Sequence, residues 1–259
     1  MITVGICLVR NGEDVIGPVV RHTLGEVDFV IVADNLSNDD TRPTLEALRY
    51  RYPHRLVVVD DPDPAHRQSW KTTRLAEWAR TEFAADWIVP FDSDEIWYSP
   101  FGRISDVLAA TAERTALATL YDHIATSADY PFDTNPIRRL GWRRREPSPL
   151  HKVATRAAPD LTIEEGNHHA RYDTPTTTIP DRLVVRHFPY RTAEQMAEKA
   201  RIGAAALRAA GLPNRIGKHW HDYDALGPEL VAEVFAEHFF ATDPELRDDL
   251  IFDPAPANP

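Results

Sequence analysis

Four short apolar runs, Ile2–Leu8, Phe29–Ala33, Leu56–Val59 and Trp87–Phe91, alternate with three helix-like stretches, Glu13–Leu24, Arg42–Tyr52 and Ser69–Phe83. This alternation predicts βαβ units and a parallel sheet, whose strands read as continuous apolar runs because both faces are covered. Ligands of such sheets bind beyond the carboxyl ends of the strands. Each run gives way there to polar residues: Arg10-Asn11, Asp34-Asn35, Asp60-Asp61 and Asp92-Ser93-Asp94. The topology therefore gathers these residues on one edge, which becomes the candidate site. The acids at Asp60, Asp61 and Asp63 also suit a solvated turn. Trp70, Leu75, Trp78, Ala79 and Phe83 predict the buried stripe of the third helix.

Downstream the pattern loosens. A strand is predicted at Leu117–Tyr121, then a Pro- and Arg-rich stretch from Asp129 to Pro149, short strands at Lys152–Thr155 and Leu183–Val185, and helices over Ala193–Ala210 and Pro228–Phe240. The tail Asp253–Pro259 reads as disordered.

No run approaches the roughly 18 apolar residues of a spanning helix, and the chain enters its first strand without a basic leader, so a cytoplasmic protein is expected. The single cysteine, Cys7, lies inside the first run. It allows no intramolecular disulfide and no cysteine metal cluster, so any metal must sit on oxygen and imidazole. A net charge of −11 disfavours nucleic acid as a partner and leaves small molecules. One stretch is basic: Arg138, Arg139, Arg143, Arg144, Arg145, Lys152 and Arg156. It suits either a pyrophosphate or anionic acceptor, or a solvated loop. With 25 Arg against 4 Lys, the coding bias points to a bacterial, GC-rich source.

Asp92-Ser93-Asp94-Glu95 is the sharpest local feature. Two carboxylates one residue apart after a buried strand can reach one hard divalent cation, and that cation can neutralise two phosphates of a nucleoside diphosphate. The competing reading is a turn of exposed acids ahead of a helix near Ile104.

The segments around these strand ends are Val9-Arg10-Asn11-Gly12-Glu13, Ala33-Asp34-Asn35-Leu36-Ser37-Asn38-Asp39, Gln68-Ser69-Trp70-Lys71-Thr72-Thr73-Arg74 and Trp87 through Trp97. Arg186-His187-Phe188-Pro189-Tyr190-Arg191-Thr192, with Gln195 and Lys199, follows later. Together they resemble glycosyltransferases of the GT-A fold, close to the family 2 type, over about the first 100 residues and in patches beyond. The resemblance implies an α/β fold of GT-A (Rossmann-like) type: a mainly parallel central sheet flanked by helices, with C-terminal helices. It implies a UDP-, GDP- or dTDP-sugar donor and Mn²⁺ or Mg²⁺. Asp34 would then meet the base, Arg10 and Asn11 the first nucleotide loop, Lys71 and Arg74 the nucleotide or its phosphates, Asp92 and Ser93 the ribose, and Asp94 the metal, with Asp92 a second ligand. A histidine from the C-terminal half is also expected there, His187 before His168, while His219 and His221 fall on a loop that closes over the sugar.

Inverting transfer needs a carboxylate base at the acceptor hydroxyl. Glu165 is preferred, with Asp122 and Glu164 as alternatives; the family's usual Glu-Asp base motif is not recognisable, so the stereochemical course stays open. The chain is expected to act as one catalytic domain over residues 1–259. About residues 1–100 form its nucleotide and metal half, about 101–190 the acceptor side and about 191–259 a helical part, and a homodimer is allowed for. The acceptor is a small molecule or saccharide. A non-catalytic nucleotide-binding protein of the same fold and a sugar-phosphate nucleotidyltransferase are the alternatives. The second lacks the Gly-rich loop it would need after the first strand; hydrolysis through the histidine pairs is more remote. From its strand-end position alone, Asp94 should be removable with loss of metal-dependent donor binding and no loss of fold.

Overall fold

In the computed structural model, which describes residues 1–129, 133–213 and 215–255, the four apolar runs form strands β1 (Thr3–Val9), β2 (Phe29–Asp34), β3 (Leu56–Asp60) and β4 (Trp87–Pro90). They are joined by helices α1 (Ile16–Glu26), α2 (Thr41–Arg51) and α3 (Gln68–Glu82). β5 (Glu95–Tyr98), α4 (Ile104–Ala109), β6 (Thr115–Thr126), α5 (Pro136–Arg139), β7 (Trp142–Arg144) and β8 (His151–Arg156) follow. Two short strands, β9 (Thr162–Ile163) and β10 (Ala170–Arg171), lead to β11 (Thr178–His187). The chain closes with α6 (Ala193–Ala209), α7 (Lys218–Leu226), α8 (Pro228–His238), β12 (Phe240–Ala241) and β13 (Leu250–Phe252).

The order β13-β7-β6-β8-β4-β1-β2-β3 makes one mixed sheet. β3, β2, β1 and β4 are mutually parallel, as the sequence predicts, and β8 joins β4 antiparallel. Period-two alternation explains why both faces are apolar. Cys7, Val9, Val30, Val32, Trp87 and Val89 face the α1–α2 layer, while Val4, Ile6, Ile31 and Ile88 face α3. The fold is α/β with helices on both faces of a central sheet, and the C-terminal helices follow β11.

Three local expectations are corrected. The fully buried face of α3 is Lys71, Thr72, Ala76 and Ala79; of the expected stripe Ala79 is buried and Leu75, Trp78 and Phe83 pack half-buried against the core, whereas Trp70 is 56% exposed. Small residues face the sheet because α3 lies close upon β1. Residues His219 and His221 belong to α7 rather than to a loop; Gly203 of α6 leaves room for Trp220, whose ring would lie 2.4 Å from a Cβ at that position. Of the tail, Asp253 is held by Arg143 and Arg186 at 2.8 Å each, and Ala255 is buried. Residues 256–259 lie outside the described residues.

His123 on β6 is 1% exposed, donates from Nδ1 to the Leu140 carbonyl at 2.8 Å and stacks on Phe188. Burial lowers its pKa to about 4. Below its unfolded value of about 6.5 the unfolded chain takes up this proton first, so stability should fall as the pH drops from about 6.5 to about 4, by on the order of 3 kcal/mol. Urea melts at several pH values should show that slope reduced in His123→Gln.

Candidate active site

The carboxyl ends of β1, β2 and β4 bring together Arg10-Asn11, Asp34 and Asp92-Ser93-Asp94, as the topology predicts. Asn11 takes a left-handed conformation at φ 52°, and its side-chain amide exchanges bonds with Asn38 at 2.7 and 3.0 Å. This ties the first strand-end loop to the second. Arg10 is half-buried, and its Nε has no partner among the described residues. Asp34 is buried, accepts the Ser37 amide at 3.2 Å and faces Arg42 at 3.7 Å. Ser93 faces the Gly12 backbone across the same edge.

Asp92-Ser93-Asp94 sits in a tight turn between β4 and β5, closed by the Glu95 amide on the Asp92 carbonyl at 3.1 Å. The strand β5 intervenes before the helix near Ile104. Glu95 is fully buried, accepting the Asp92 amide at 3.0 Å and the Trp97 indole at 2.9 Å. Its counter-ion is Lys152, 4% exposed on β8, which also reaches Asp92 Oδ2 at 2.5 Å and lies 2.7 Å from Glu95 Oε1. Burial opposes the ammonium, but Asp92 and Glu95 more than offset this and keep it protonated. The other Asp92 oxygen accepts from Gln68 at 3.3 Å and Asn167 at 3.1 Å.

Asp94 faces a different set. β11 runs antiparallel to β5 and parallel to β6 in a register that opposes His187 to both Glu95 and Asp122. His187 Nδ1 bonds Asp122 Oδ1 at 2.7 Å, and its Nε2 stands 3.8 Å from Asp94 Oδ1. Lys199 of α6 donates to Asp94 Oδ2 at 2.7 Å, with Arg191 4.0 Å away and clamped by Asp14 at 2.6 and 2.9 Å. Burial raises the Asp94 pKa, but Lys199, His187 and Arg191 together hold it below the usual carboxylate range. Burial likewise disfavours imidazolium at His187, yet the Asp122 hydrogen bond and the Asp94, Asp122 and Glu95 charges raise its pKa. Asp94 is 6% exposed, so removing it would strand these cations and cost stability, contrary to the expectation from its strand-end position.

These contacts decide which residues suit a divalent ion. One ion at about 2.1 Å from each of two ligand atoms spans up to about 4.2 Å, which accommodates Asp94 Oδ1 and His187 Nε2. Asp92 is engaged on both oxygens, by Lys152 on Oδ2 and by Gln68 and Asn167 on Oδ1. His168 bonds the His151 carbonyl through Nδ1 at 2.6 Å, and no contact among the described residues brings it to Asp94. No three carboxylate, imidazole or thiol groups among the described residues converge as a metal cluster. Of the four expected ligands, Asp94 and His187 stand within reach of one another, while Asp92 and His168 are engaged in other contacts.

Several other expected residues stand elsewhere. Lys71 is buried against Asp61 at 2.7 Å and the Asp63 carbonyl at 2.5 Å, so it locks the β3–α3 loop instead of offering a free cation. Arg74 stacks 5.1 Å over Trp70 on the outer face of α3. Trp70 and Arg74 line a cavity of about 750 Å³, shared with Glu77, Pro159 and Leu161. Glu165 lines the same cavity, bonding the Ser69 amide at 3.1 Å and His66 at 3.2 Å; it caps the first turn of α3 rather than joining Asp94. Glu164 pairs with Arg171 at 2.6 Å. Three arginines of the basic stretch bind the chain's own C-terminal part, Arg143 on Asp253 at 2.8 Å, Arg144 on Asp249 at 2.6 Å and Arg145 on the Asp248 carbonyl at 2.6 Å, whereas Arg138 pairs with Asp133 at 3.0 Å.

The sequence reads Glu95 only as the end of the Asp92–Glu95 motif, Lys152 only as part of the basic stretch, and does not single out Asn167 for this cluster. A carboxylate placed directly before Ile96-Trp97 in a buried strand was the available signal, because it demands an internal cation.

No protein-family profile matches the sequence, and no curated protein matches it. Among solved structures, S. aureus TarS residues 1–349 in complex with UDP is similar at 14% identity and TM-score 0.40, over 92% of this chain and 72% of that one. A Mycobacterium tuberculosis glucosyl-3-phosphoglycerate synthase, solved with Mn²⁺, UDP and glucosyl-3-phosphoglycerate, is similar at 16% and 0.41, over 82% and 81%. At such values the residues of this chain must carry the functional reading.

Proposed function

We propose that this protein is a glycosyltransferase that takes a sugar from a nucleoside diphosphate donor at the β1–β2–β4 edge. The observation that carries this is the convergence, on one strand-end edge, of a buried base-side carboxylate (Asp34), an incompletely bonded guanidinium (Arg10), and Asp94 beside the His187–Asp122 pair. Asp34 and the 10–11 loop receive the nucleotide. Asp94 and His187 hold Mn²⁺ or Mg²⁺, which when bound supplies charge compensation to the diphosphate. Asp122 is the base: His187 orients its Oδ1, while Oδ2 has no bonded partner among the described residues. The acceptor hydroxyl gives its proton to Oδ2 as its oxygen bonds the anomeric carbon, and the carbon–oxygen bond to the diphosphate breaks with its electron pair leaving on the diphosphate. The acceptor is a saccharide or other small hydroxyl compound whose hydroxyl reaches Asp122 Oδ2.

A thermal-shift series with UDP, GDP and dTDP, each with Mn²⁺, Mg²⁺ or chelator, tests the donor site. One nucleotide should stabilise the protein only with metal, by about 2.7 kcal/mol at 100 times its dissociation constant, and Asp94→Asn should erase that gain. No response to any of them sinks the proposal. A nucleotide-binding protein without turnover is the second reading, favoured by the saturation of Asp92. Stabilisation without any donor cleavage would select it.

A further inference from the structure

Asp94 already has a cation, and that cation sits on a helix that covers the site. Lys199 Nζ lies 2.7 Å from Asp94 Oδ2 and 3.2 Å from the Pro189 carbonyl. A divalent ion on the same carboxylate would face a full positive charge at close range. The helix that carries Lys199 reaches three of the strand-end loops. Glu198 lies beside Arg10 and Asn11, the Ala206 carbonyl accepts the His66 amide at 2.9 Å, and Trp220 of α7 sits 5.5 Å from the His66 ring. Met196, Ala200, Ala204 and Leu207 are its buried face, whereas α7 buries no residue fully. The α6–α7 unit thus touches the loops after β1, β3 and β4 together, where the donor would enter.

We infer that Lys199 is the resident counter-cation of Asp94 in a closed state, and that a divalent ion competes with Lys199 for this carboxylate, lifting α6–α7 from the edge. This rests on the Asp94–His187 metal assignment above. Metal binding and lid opening are then one equilibrium, because the ion shifts it only through its preference for the open form.

The test measures Mn²⁺ binding directly, from the electron paramagnetic resonance of free Mn²⁺, with and without UDP. Wild type, Lys199→Met, Lys199→Arg and Asp94→Asn are compared. Lys199→Met should bind Mn²⁺ at least about tenfold more tightly than wild type, Lys199→Arg should stay near wild type, and Asp94→Asn should bind none. Saturating Mn²⁺ should speed hydrogen exchange across residues 193–226 of the wild type. Binding that depends on Asp94 but is no tighter in Lys199→Met overturns the competition and leaves the metal site standing. Tighter binding with unchanged exchange overturns the lid. If neither wild type nor Lys199→Met binds Mn²⁺ in an Asp94-dependent way, the metal assignment itself falls, and this inference with it.

Discussion

Lys152→Met should destabilise the protein by about 4 kcal/mol and lower its Tm by roughly 12 °C. The ammonium is 5% exposed and is shared by Asp92 and the fully buried Glu95. Its removal leaves two carboxylates facing each other in a site closed to solvent on the Glu95 side, and one of them must take up a proton or draw in water. Adding Glu95→Gln should recover much of the loss, since the neutral amide no longer needs the cation. The coupling between the two sites, read from a double-mutant cycle by urea unfolding, should exceed about 1 kcal/mol. Additive losses would mean that the ion triad is incidental, and the geometry of the 92–95 turn would have to come from backbone pairing alone.

For Asp122→Asn, kcat should fall by about 10² to 10⁴ while donor binding, followed by thermal shift, stays near wild type. The amide keeps the size of the side chain but cannot accept the acceptor's proton. Glu165→Gln should leave turnover close to wild type and lower stability modestly through the α3 cap. A large loss of turnover in Glu165→Gln, with Asp122→Asn active, would move the base to the groove side of α3 and reverse the assignment made from the His187 contact.

The reach of sequence differs between these two carboxylates for a definite reason. Glu165 and Asp122 look alike along the chain: each is an acid downstream of the Asp92–Asp94 motif. They differ in what their strands and turns are paired with. Asp122 meets His187 because β6 and β11 run in parallel register over 65 residues of separation, and Glu165 meets the α3 N-terminus because the 3₁₀ turn Glu165–Asn167 docks there. Long-range register leaves no periodic mark in sequence. The partners of Arg143 and Arg144 in the basic stretch are hidden for the same reason, since Asp253 and Asp249 arrive about a hundred residues later.

What the sequence determined by itself was the parallel half of the sheet and the edge at which its polar strand ends gather. Continuous apolar strands, intervening helices and polar strand ends follow from local periodicity, and the parallel connection then forces Arg10, Asp34 and Asp94 to one side. Only the tertiary structure decided which of these groups is free. It filled Asp92 with Lys152, Gln68 and Asn167, buried Lys71 on Asp61, turned Arg74 outward, and laid Lys199 on Asp94. The reason is electrostatic: a buried charge must find a partner wherever the fold supplies one, and that partner is chosen by distance in space, without regard to distance along the chain.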